Sequence, residues 1–308
     1  MKVLIVGYGS IGQRHAKILR SLSCDIAIVS TRTVHLDDCY YDLSDALFHH
    51  KPEYVVIATR TGEHYKTIKT LVEQEFKGRV LVEKPLFDIV IEMPANEFYF
   101  SAVAYNLRFH PIILKLKKLL KENESDKLIT VTMYVGSYLP NWRSSTDYRI
   151  SYSAIKNQGG GVLRDLSHEL DIAYWLFGPW THLSALGGHF SNLEIDSDDA
   201  FTVIMKTVKC PVVTIHMNYL DRTPKREIII NTENATIRVD LIANRLDING
   251  ESESVEFDLN ETYISEHKAM ISGSKEHLCS IEDAKETVLT IEAAENAAIN
   301  HSWITKNL

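Results

Sequence analysis

The segment KVLIVGYGSIG, at residues 2–12, decides the fold expected of this chain. Four consecutive apolar residues, typical of a buried strand, lead into three glycines with the spacing G-x-G-x-x-G, and a helical pattern follows. In such a turn the first glycine permits the bend, the second lets the backbone approach a pyrophosphate, and the third lets the helix pack closely on the strand. The sequence therefore predicts a dinucleotide-binding turn, and not an incidental glycine turn, with phosphate contacts at Gly7, Gly9, Ser10, Ile11 and Gly12.

The end of the second predicted strand, at residues 25–29, bears on which nucleotide is bound. In dinucleotide-binding domains an acidic residue at this point hydrogen-bonds the ribose 2′-hydroxyl of NAD. Here Ser30, Thr31 and Arg32 follow the strand instead, and the guanidinium of Arg32 could pair with a 2′-phosphate. We therefore expect NADP to be preferred over NAD, the alternative being that Arg32 is only a solvated loop residue.

A second segment, VLVEKP at residues 80–85, places a lysine where chemistry is expected. Its apolar residues indicate a buried strand, and Pro85 cannot continue a central ladder. Lys84 is therefore left at the carboxyl end of the strand, which is where open α/β sheets bind their ligands. A partly desolvated lysine there could exchange a proton with a substrate, although a solvated lysine that merely ends a strand has the same local sequence.

Further apolar runs complete the pattern of the first half. The run at residues 54–58 enters a loop and then a helix over residues 63–74, which Thr61 or Gly62 could cap. Another apolar run lies at residues 101–105. Because strands alternate with helical patterns, the sequence predicts an α/β fold with a parallel, doubly wound sheet.

The motif GGGVLRDLSHELD, at residues 159–171, is the candidate for proton transfer in the second half. We expect one helix from the glycines to about Leu176, ended by Gly178. Asp165 and His168 would then lie on one side of that helix. His168 could act as a base near neutral pH with Asp165 as its partner. The alternative is that Asp165 bonds N–H groups of the first turn and His168 is a packed core residue.

The rest of the second half predicts an α+β domain. Strands of an antiparallel sheet are expected at residues 128–138, 201–208, 212–219, 227–230 and 235–240. Helices are expected at residues 111–120, 266–271 and 281–304. We place the boundary near residue 110, with a cofactor-binding domain at residues 1–110 and a substrate-binding and oligomerisation domain at residues 111–308, packed around a shared cleft.

The loop at residues 142–152 combines tyrosines with arginines. Aromatic rings suit the face of a sugar, and guanidinium groups suit an anionic substituent such as a phosphate or carboxylate. An exposed loop whose aromatic residues pack locally is the alternative. The candidate substrate contacts are Arg143, Tyr148, Arg149 and Tyr152.

Taken together, these motifs resemble those of the Gfo/Idh/MocA family of NAD(P)-dependent oxidoreductases. The matching stretches occur in family order: GYGSIGQRHAKIL (7–19), IATRTGEH (57–64), VEKPL (82–86), YNLRFHP (105–111) and GGGVLRDLSHELD (159–171). The resemblance implies an N-terminal Rossmann domain, an open and mostly antiparallel C-terminal sheet, and hydride transfer between a nicotinamide and a hydroxyl or keto carbon, usually of a sugar. The segment at residues 87–100 departs from the family because it is short for the usual helix.

The resemblance also implies roles for individual residues. Lys84 and His168 would be catalytic and contact the substrate, with Asp165 orienting the histidine. The remaining cofactor contacts would be Thr59, His64 and Glu83, and the remaining substrate contacts would be Asn106 and Arg108. Two rivals stay open, an imine or ene reductase in which Lys84 only orients the substrate, and a non-catalytic NADP-binding regulator or assembly subunit.

The composition argues against several other classes of protein. A net charge of -8 and a pI of about 5.9 disfavour a nucleic acid bound through its phosphates. No apolar run approaches the ~18 residues of a membrane span, and the four cysteines form no Cys-x-x-Cys pair. We therefore expect a cytoplasmic protein without a metal, a small sugar-type substrate, no nucleic-acid or membrane partner, and a homodimer or homotetramer.

Overall fold

The protein forms two compact units. The computed structural model describes residues 1–32, 38–143 and 147–306. The first unit contains Met1–Phe109 and Asp258–Lys285, and the second contains His110–Phe257 and Glu286–Leu308. The division expected from the sequence assigned all of residues 111–308 to one domain, whereas residues 258–285 pack with the first unit.

The described residues form helices, strands and short 3-10 turns that are joined by loops. The helices are α1 (Ser10–Ser21), α2 (Leu43–His50), α3 (His64–Glu73), α4 (Pro111–Glu122), α5 (Val162–Asp165), α6 (His168–Phe177), α7 (Asn260–Ser272) and α8 (Ile281–Asn300). The strands are β1 (Lys2–Val6), β2 (Asp25–Val29), β3 (Cys39–Tyr40), β4 (Tyr54–Ile57), β5 (Arg79–Val82), β6 (Phe100–Val103), β7 (Leu128–Gly136), β8 (Trp180–Gly188), β9 (Ala200–Thr207), β10 (Val212–Asn218), β11 (Lys225–Thr232), β12 (Thr236–Asp240), β13 (Arg245–Ile248), β14 (Glu251–Ser254) and β15 (Ile304–Thr305).

The sheet of the first unit is parallel throughout, in the order β3-β2-β1-β4-β5-β6. Aliphatic residues dominate its central strands, and every residue of β4 is buried, as expected of a strand covered on both faces. After β3 the chain returns to the other side of β1, so the strand order reverses between β1 and β4. This confirms the predicted doubly wound sheet and places the switch point, where such sheets bind ligands, at the carboxyl ends of those two strands.

Helix α7 reaches the first unit from far along the chain. No helix lies between β5 and β6, where residues 83–99 form bends and irregular backbone, in keeping with the short segment noted in the sequence. From the later segment, Ala269, Met270 and Leu278 join the hydrophobic cluster on the sheet that includes Val3 and Ile5. The apolar core of the first unit is therefore built from two separate parts of the chain.

Polar contacts join the returning segment to the end of β6. The Asn106 amide donates a hydrogen bond to the Thr262 hydroxyl (2.6 Å), and the Arg108 guanidinium pairs with the Asp283 carboxylate (2.7 Å). Arg108 is only 1% exposed, so its charge depends on partners within the unit. Asn106 and Arg108, both expected to contact substrate, thus bind residues of the returning segment.

The second unit contains a nine-stranded sheet in the order β14-β13-β12-β11-β7-β10-β9-β8-β15. Strands β7 and β10 pair in parallel, and the other neighbouring strands are antiparallel. Buried and exposed residues alternate along β9, so one face of this strand is covered. The mostly antiparallel sheet is confirmed. Sequence patterns missed four strands of this sheet: β8, which ends in two glycines, β14, whose residues ESES are all exposed, and the short strands β13 and β15.

One helix prediction in the second unit is wrong. The helix expected over residues 162–176 is interrupted, because α5 ends at Asp165 and α6 begins at His168. These two residues therefore do not share one side of a continuous helix. Apolar residues on both short helices are buried, so the hydrophobic pattern continues across the interruption and does not reveal it.

Other helix boundaries mostly follow the sequence. Pro111 opens α4, and Gly178, with a φ of 78°, ends α6. The cap expected at Thr61 or Gly62 is wrong, because a 3-10 turn covers these residues and α3 begins at His64 with no side-chain cap.

Removing the partner of Arg108 should destabilise the protein. We expect Asp283→Ala to lower the free energy of unfolding by about 3 kcal/mol, because it leaves a guanidinium buried without its carboxylate. The measurement is urea denaturation followed by circular dichroism. Glu282→Ala is the matched control, because Glu282 lies in the same first turn of α8 but is exposed. Equal losses for the two variants would show that the Arg108 pair carries no special weight.

Candidate active site

Four sequence-distant segments meet at one edge of the parallel sheet. The strand ladder continues past the ends of the strands, through hydrogen bonds from Gly7 N to Val29 O (2.9 Å), Ala58 N to Val6 O (2.8 Å) and Glu83 N to Ile57 O (2.9 Å). These bonds place the residues that follow β1, β2, β4 and β5 side by side. The predicted cofactor residues that this edge brings together are Gly7, Ser30, Thr59, Glu83 and Lys84.

The glycine turn after β1 is fixed by close approach of backbone atoms. Gly7 has a φ of +98°, and a Cβ added there would lie 2.5 Å from the Ala58 carbonyl oxygen. A Cβ on Gly12 would lie 2.1 Å from the carbonyl oxygen of Gly7. By contrast, a Cβ on Gly9 would meet nothing within 4 Å. Two of the glycines are thus required by packing, whereas Gly9 leaves an open space beside the turn.

The N-terminus of α1 borders that open space. Its N-cap residue is Gly9, which has no side chain to cap the helix. The first turn contains no acidic residue. Ser10 is exposed and Ile11 is half-buried. First-turn N–H groups without a side-chain cap, at the positive end of the helix dipole, form a binding site for an anion such as a pyrophosphate. The residues present therefore fit the phosphates of a dinucleotide.

The residues after β2 form a turn. The buried Ser30 hydroxyl accepts a hydrogen bond from the Arg32 backbone N–H (3.1 Å), while the side chains of Thr31 and Arg32 are exposed. Residues 33–37 lie outside the described part of the chain. A hydroxyl and a guanidinium are thus presented at the strand end, as expected, and Ser30 stabilises the turn that carries them.

His64 is buried and joins two of the strand-end loops. Its Nδ1 lies 3.1 Å from the carbonyl oxygen of Leu86 and 3.2 Å from that of Pro85, and its Nε2 lies 3.2 Å from the carbonyl oxygen of Thr59. Burial lowers the pKa of His64 below its usual value, against the opposing effect of these carbonyls. A neutral imidazole has one N–H, so His64 donates to the carbonyls on one side of its ring only. The histidine therefore packs between the loop after β4 and the loop that follows Lys84.

Lys84 is half-buried beside a carboxylate that is almost fully buried. Glu83 is 8% exposed, and its Oε2 accepts a hydrogen bond from the Lys84 backbone N–H (3.0 Å). Its Oε1 lies 2.8 Å from Nε2 of His15. Burial alone would raise the pKa of Glu83, but the hydrogen bond from His15, the charge of a protonated His15 and the charge of Lys84 hold it below the usual value. Glu83 is therefore an ionised group that fixes the backbone at Lys84.

In the second unit the glycine triplet makes room for Asp198. A Cβ on Gly161, whose φ is +119°, would lie 2.2 Å from Oδ1 of Asp198. The other carboxylate oxygen accepts a hydrogen bond from Leu163 N (2.9 Å), and the Asp198 carbonyl oxygen accepts one from Val162 N (3.0 Å). Asp198 thus satisfies the first N–H groups of α5, although Asp165 was the alternative considered for that role.

Asp165 takes part in a buried group of phenols. Its Oδ2 accepts a hydrogen bond from the hydroxyl of Tyr219 (2.7 Å). Tyr219 is the residue that directly follows β10. Burial, followed by the nearby charge of Asp165 and a hydrogen bond to it, raises the pKa of Tyr152 well above its usual value. Two residues separate the end of α5 from His168, which begins α6 and is half-buried. The role of Tyr219 was not predicted from the sequence, because its apolar neighbours indicate only the end of a strand.

The two arginines of the loop at residues 142–152 have different partners. Arg149 is exposed and pairs with the carboxylates of Asp147 (2.7 Å) and Glu194 (3.1 Å). Arg143 instead lies over the ring of Tyr152, 5.6 Å from its centroid. Residues 144–146, within the predicted loop, are outside the described residues. Arg149 is thus bound to protein carboxylates, whereas Arg143 lies next to the partner of Asp165.

A cleft of about 370 Å³ opens beside this loop in the second unit. Its volume lies within the range of small-molecule sites. The Arg222 guanidinium covers the ring of Tyr138, 3.5 Å from the centroid, and Tyr148 also lines a smaller neighbouring recess together with Arg143. The residues that line the cleft are Tyr138, Tyr148, Phe190, Ser191, Asn192, Leu193, Leu220 and Arg222.

Among the described residues, no group of three or more histidine, cysteine or acidic side chains is arranged to hold a metal ion, and all four cysteines are free thiols. None of the helices described is long and apolar enough to cross a bilayer.

Comparison with protein families gives two matches. Residues 1–95 match the model of an oxidoreductase family with an NAD-binding Rossmann fold, and residues 113–255 match the GFO/IDH/MocA C-terminal domain. Both models describe parts of one family, and they match in the order expected from the sequence motifs. No curated protein sequence matches the chain.

Solved structures of similar fold include three complexes with nicotinamide cofactors. Levoglucosan dehydrogenase with NADH and levoglucosan has a TM-score of 0.85 at 16% identity, covering 99% of both chains. The WlbA dehydrogenase from Bordetella pertussis with NADH and UDP-GlcNAcA has a TM-score of 0.82 at 19% identity, covering 100% of this chain and 99% of the other. GenD2 from gentamicin A biosynthesis, with NAD, has a TM-score of 0.83 at 19% identity, covering 100% and 97%. At these identities the likeness shows the fold.

Alanine at two glycines of the turn should separate folding from cofactor binding. We expect Gly9→Ala to leave the melting temperature unchanged, because the space around it is open, but to weaken NADH binding about tenfold by placing a methyl group where phosphate would approach. Gly12→Ala should lower the melting temperature, because the methyl group collides with the carbonyl of Gly7. Thermal melting and titration of nicotinamide fluorescence measure the two effects. Unchanged NADH binding in folded Gly9→Ala would refute this location for the phosphates.

Asp198 should make stability depend on pH. Burial raises the pKa of Asp198 to about 6, against its hydrogen bond from Leu163 N. Because a raised pKa favours the folded state at low pH and this contribution is lost as the pH rises through about 6, the wild type should gain about 1 kcal/mol relative to Asp198→Asn between pH 8 and pH 5. Urea unfolding of both proteins at several pH values tests this. A difference that does not change with pH would contradict it.

Proposed function

Because the chain belongs to the GFO/IDH/MocA family of NAD-binding oxidoreductases, we propose that it transfers a hydride between the nicotinamide and a hydroxyl or keto carbon of a sugar or sugar derivative. The observation that carries this proposal is the edge of the parallel sheet at which the glycine turn, the α1 N-terminus and Lys84 come together. A regulator that only bound the nucleotide would need the first two features but no lysine beside a fixed carboxylate.

The first unit holds the cofactor in this proposal. The N–H groups of Ser10 and Ile11 bind the pyrophosphate, and the open space at Gly9 admits it. When bound, the nicotinamide accepts or donates the hydride. Lys84 donates a hydrogen bond to the reacting oxygen of the substrate and so polarises the carbon–oxygen bond.

The second unit supplies the proton acceptor in this proposal. His168 takes the hydroxyl proton during oxidation and returns it during reduction. Asp165, held by the Tyr219 hydroxyl, carries the negative charge that favours proton transfer to the imidazole. The convergence of Lys84 and His168 on one substrate oxygen stays a prediction from the sequence.

The lining of the cleft in the second unit supports a sugar-type substrate. Aromatic rings at Tyr138 and Tyr148 suit the apolar face of a pyranose, and the guanidinium groups of Arg143 and Arg222 suit an acidic or phosphorylated substituent. Two of the solved relatives were crystallised with a sugar or nucleotide sugar, levoglucosan and UDP-GlcNAcA. Arg149 contributes less in this proposal, because two carboxylates already bind it.

Replacing Lys84 should abolish turnover without abolishing cofactor binding. We expect Lys84→Met to lower kcat by about 10²–10⁴-fold, because the methionine retains bulk but donates no hydrogen bond. The assay follows nicotinamide absorbance during incubation with NAD and a panel of neutral, acidic and nucleotide-linked sugars. Lys66→Met, at an exposed lysine of α3, is the control. Wild-type turnover by Lys84→Met would remove the lysine from the mechanism.

Arg32, in the turn that follows β2, should decide whether NADP or NAD is preferred. If Arg32 pairs with a 2′-phosphate, Arg32→Ala should weaken NADPH binding about tenfold and leave NADH binding nearly unchanged. Fluorescence titrations with both cofactors measure the ratio. An equal effect on NADH and NADPH, or a wild-type preference for NADH, would withdraw the expected preference for NADP.

A further inference from the structure

A continuous chain of four buried side chains runs through the first unit and ends at Glu83. The Tyr54 hydroxyl lies 2.9 Å from Nδ1 of His267, and Nε2 of His267 lies 2.8 Å from Nδ1 of His15. Nε2 of His15 in turn lies 2.8 Å from Oε1 of Glu83. Glu83 then accepts the backbone N–H of Lys84 through its other oxygen. The chain therefore connects β4, α7, α1 and the end of β5.

Burial makes each of these contacts matter. Tyr54, His15 and His267 are each 0% exposed. A polar group in such a position must be satisfied by protein partners, because leaving it unpaired costs about 1–3 kcal/mol. Each histidine uses both ring nitrogens in the chain, and neither role can pass to solvent.

The carboxylate end of the chain fixes one donor. An ionised Glu83 can only accept, so His15 must donate to it from Nε2. If His15 is neutral, its Nδ1 accepts from Nε2 of His267, whose Nδ1 accepts the Tyr54 hydroxyl proton. If His15 is protonated, it also donates from Nδ1 to Nε2 of His267, whose Nδ1 then donates to the Tyr54 oxygen. In both arrangements every polar atom of the chain is paired and His15 donates to Glu83.

Burial also sets the ionisation of three members of the chain. Burial, followed by the positive charge of a protonated His15, lowers the pKa of His267 well below its usual value, so His267 is the neutral ring. Burial raises the pKa of Tyr54 well above its usual value, so the phenol keeps its proton. Glu83, whose pKa is lowered despite burial, provides the negative end.

We propose that Tyr54, His267 and His15 are positioning residues, which hold the Glu83 carboxylate in place and through it fix the backbone at Lys84. The proposal rests on the proposed function only in assigning Lys84 to the reaction. It explains why α7, which returns from the far end of the sequence, packs against α1: it delivers His267 between the Tyr54 hydroxyl and His15.

Other charged and titratable groups surround the chain. The Arg14 guanidinium lies 5.2 Å from the Tyr263 ring centroid and 3.4 Å from its hydroxyl, and the Tyr263 ring packs edge-on against His15. Burial and the charge of Glu83 raise the pKa of Tyr263 to about 12, so it stays neutral. Glu266 lies near Tyr54 and raises the pKa of that phenol, as does Cys24 to a smaller extent. The charge of Lys84 also lowers the pKa of Glu83, after the effects of His15.

The first test reads the tautomers directly. Two-bond ¹⁵N–¹H correlation spectra of histidine-labelled protein should show a proton on Nε2 of His15 and a neutral ring at His267 at pH 7. Their signals are assigned by comparison with His15→Gln and His267→Gln. A His15 that carries its proton on Nδ1 alone would mean that it does not donate to Glu83, and a charged His267 would mean that the chain is not formed; either result overturns the proposal.

The second test compares disruptive variants with conservative ones. Glutamine keeps one donor and one acceptor at either histidine position, whereas leucine keeps neither. We expect His15→Leu to raise the pKa of Glu83 by about one unit in a ¹³C carboxyl titration, because the bond that opposes burial is lost. His15→Gln should restore the wild-type titration. Glu83→Gln identifies the carboxyl signal.

Hydrogen exchange of the Lys84 amide reports whether the Glu83 carboxylate still holds the backbone at Lys84. Exchange at Lys84 relative to Val82, in the adjoining strand, should rise about tenfold in His15→Leu and His267→Leu but not in the glutamine variants. A purely structural role would raise exchange at both amides together, and that result would overturn the proposal. None of these three tests needs a substrate, so their outcome is independent of the turnover assay that tests the proposed function. If His15→Leu does not fold, His267→Leu and the tautomer spectra of the wild type still decide.

Discussion

The close approach of Gly12 to the carbonyl oxygen of Gly7 is the constraint on which the nucleotide site depends. A single methyl group at Gly12 would lie 2.1 Å from that oxygen, so only glycine lets α1 begin this near the end of β1. The position of α1 in turn aims its uncapped N–H groups at the edge of the sheet where β4 and β5 also end. The same helix carries His15 towards Glu83. This one backbone contact therefore positions both the phosphate site and His15, which bonds the carboxylate next to Lys84.

The first unit becomes complete only when the chain returns to it. Residues 258–285 add apolar residues to the core, a partner for Arg108 and His267 for the buried chain. The connection between β5 and β6 has no helix of its own, and α7 covers part of the sheet from a distance in sequence. Buried polar side chains at these junctions make the arrangement specific, because each would be costly if its partner came from elsewhere.

Local patterns in the sequence predicted much of this, and long-range pairings account for what they missed. The glycine turn, the parallel strands and the position of Lys84 at a strand end follow from residue spacing and periodicity. The return of residues 258–285, the pairing of His15 with His267 and the bond from Tyr219 to Asp165 depend on tertiary contacts that no periodicity encodes. The interruption between α5 and α6 was missed for a different reason, because burial continues across it.

The central claim is that a dinucleotide binds at the carboxyl edge of the parallel sheet with its nicotinamide facing Lys84. A crystal structure of the protein grown with NAD tests this most directly. We expect pyrophosphate oxygens within hydrogen-bonding distance of the backbone N–H groups at Ser10 and Ile11, and the nicotinamide ring beside the side chain of Lys84. A cofactor bound elsewhere, or one whose nicotinamide lies far from Lys84, would contradict the account.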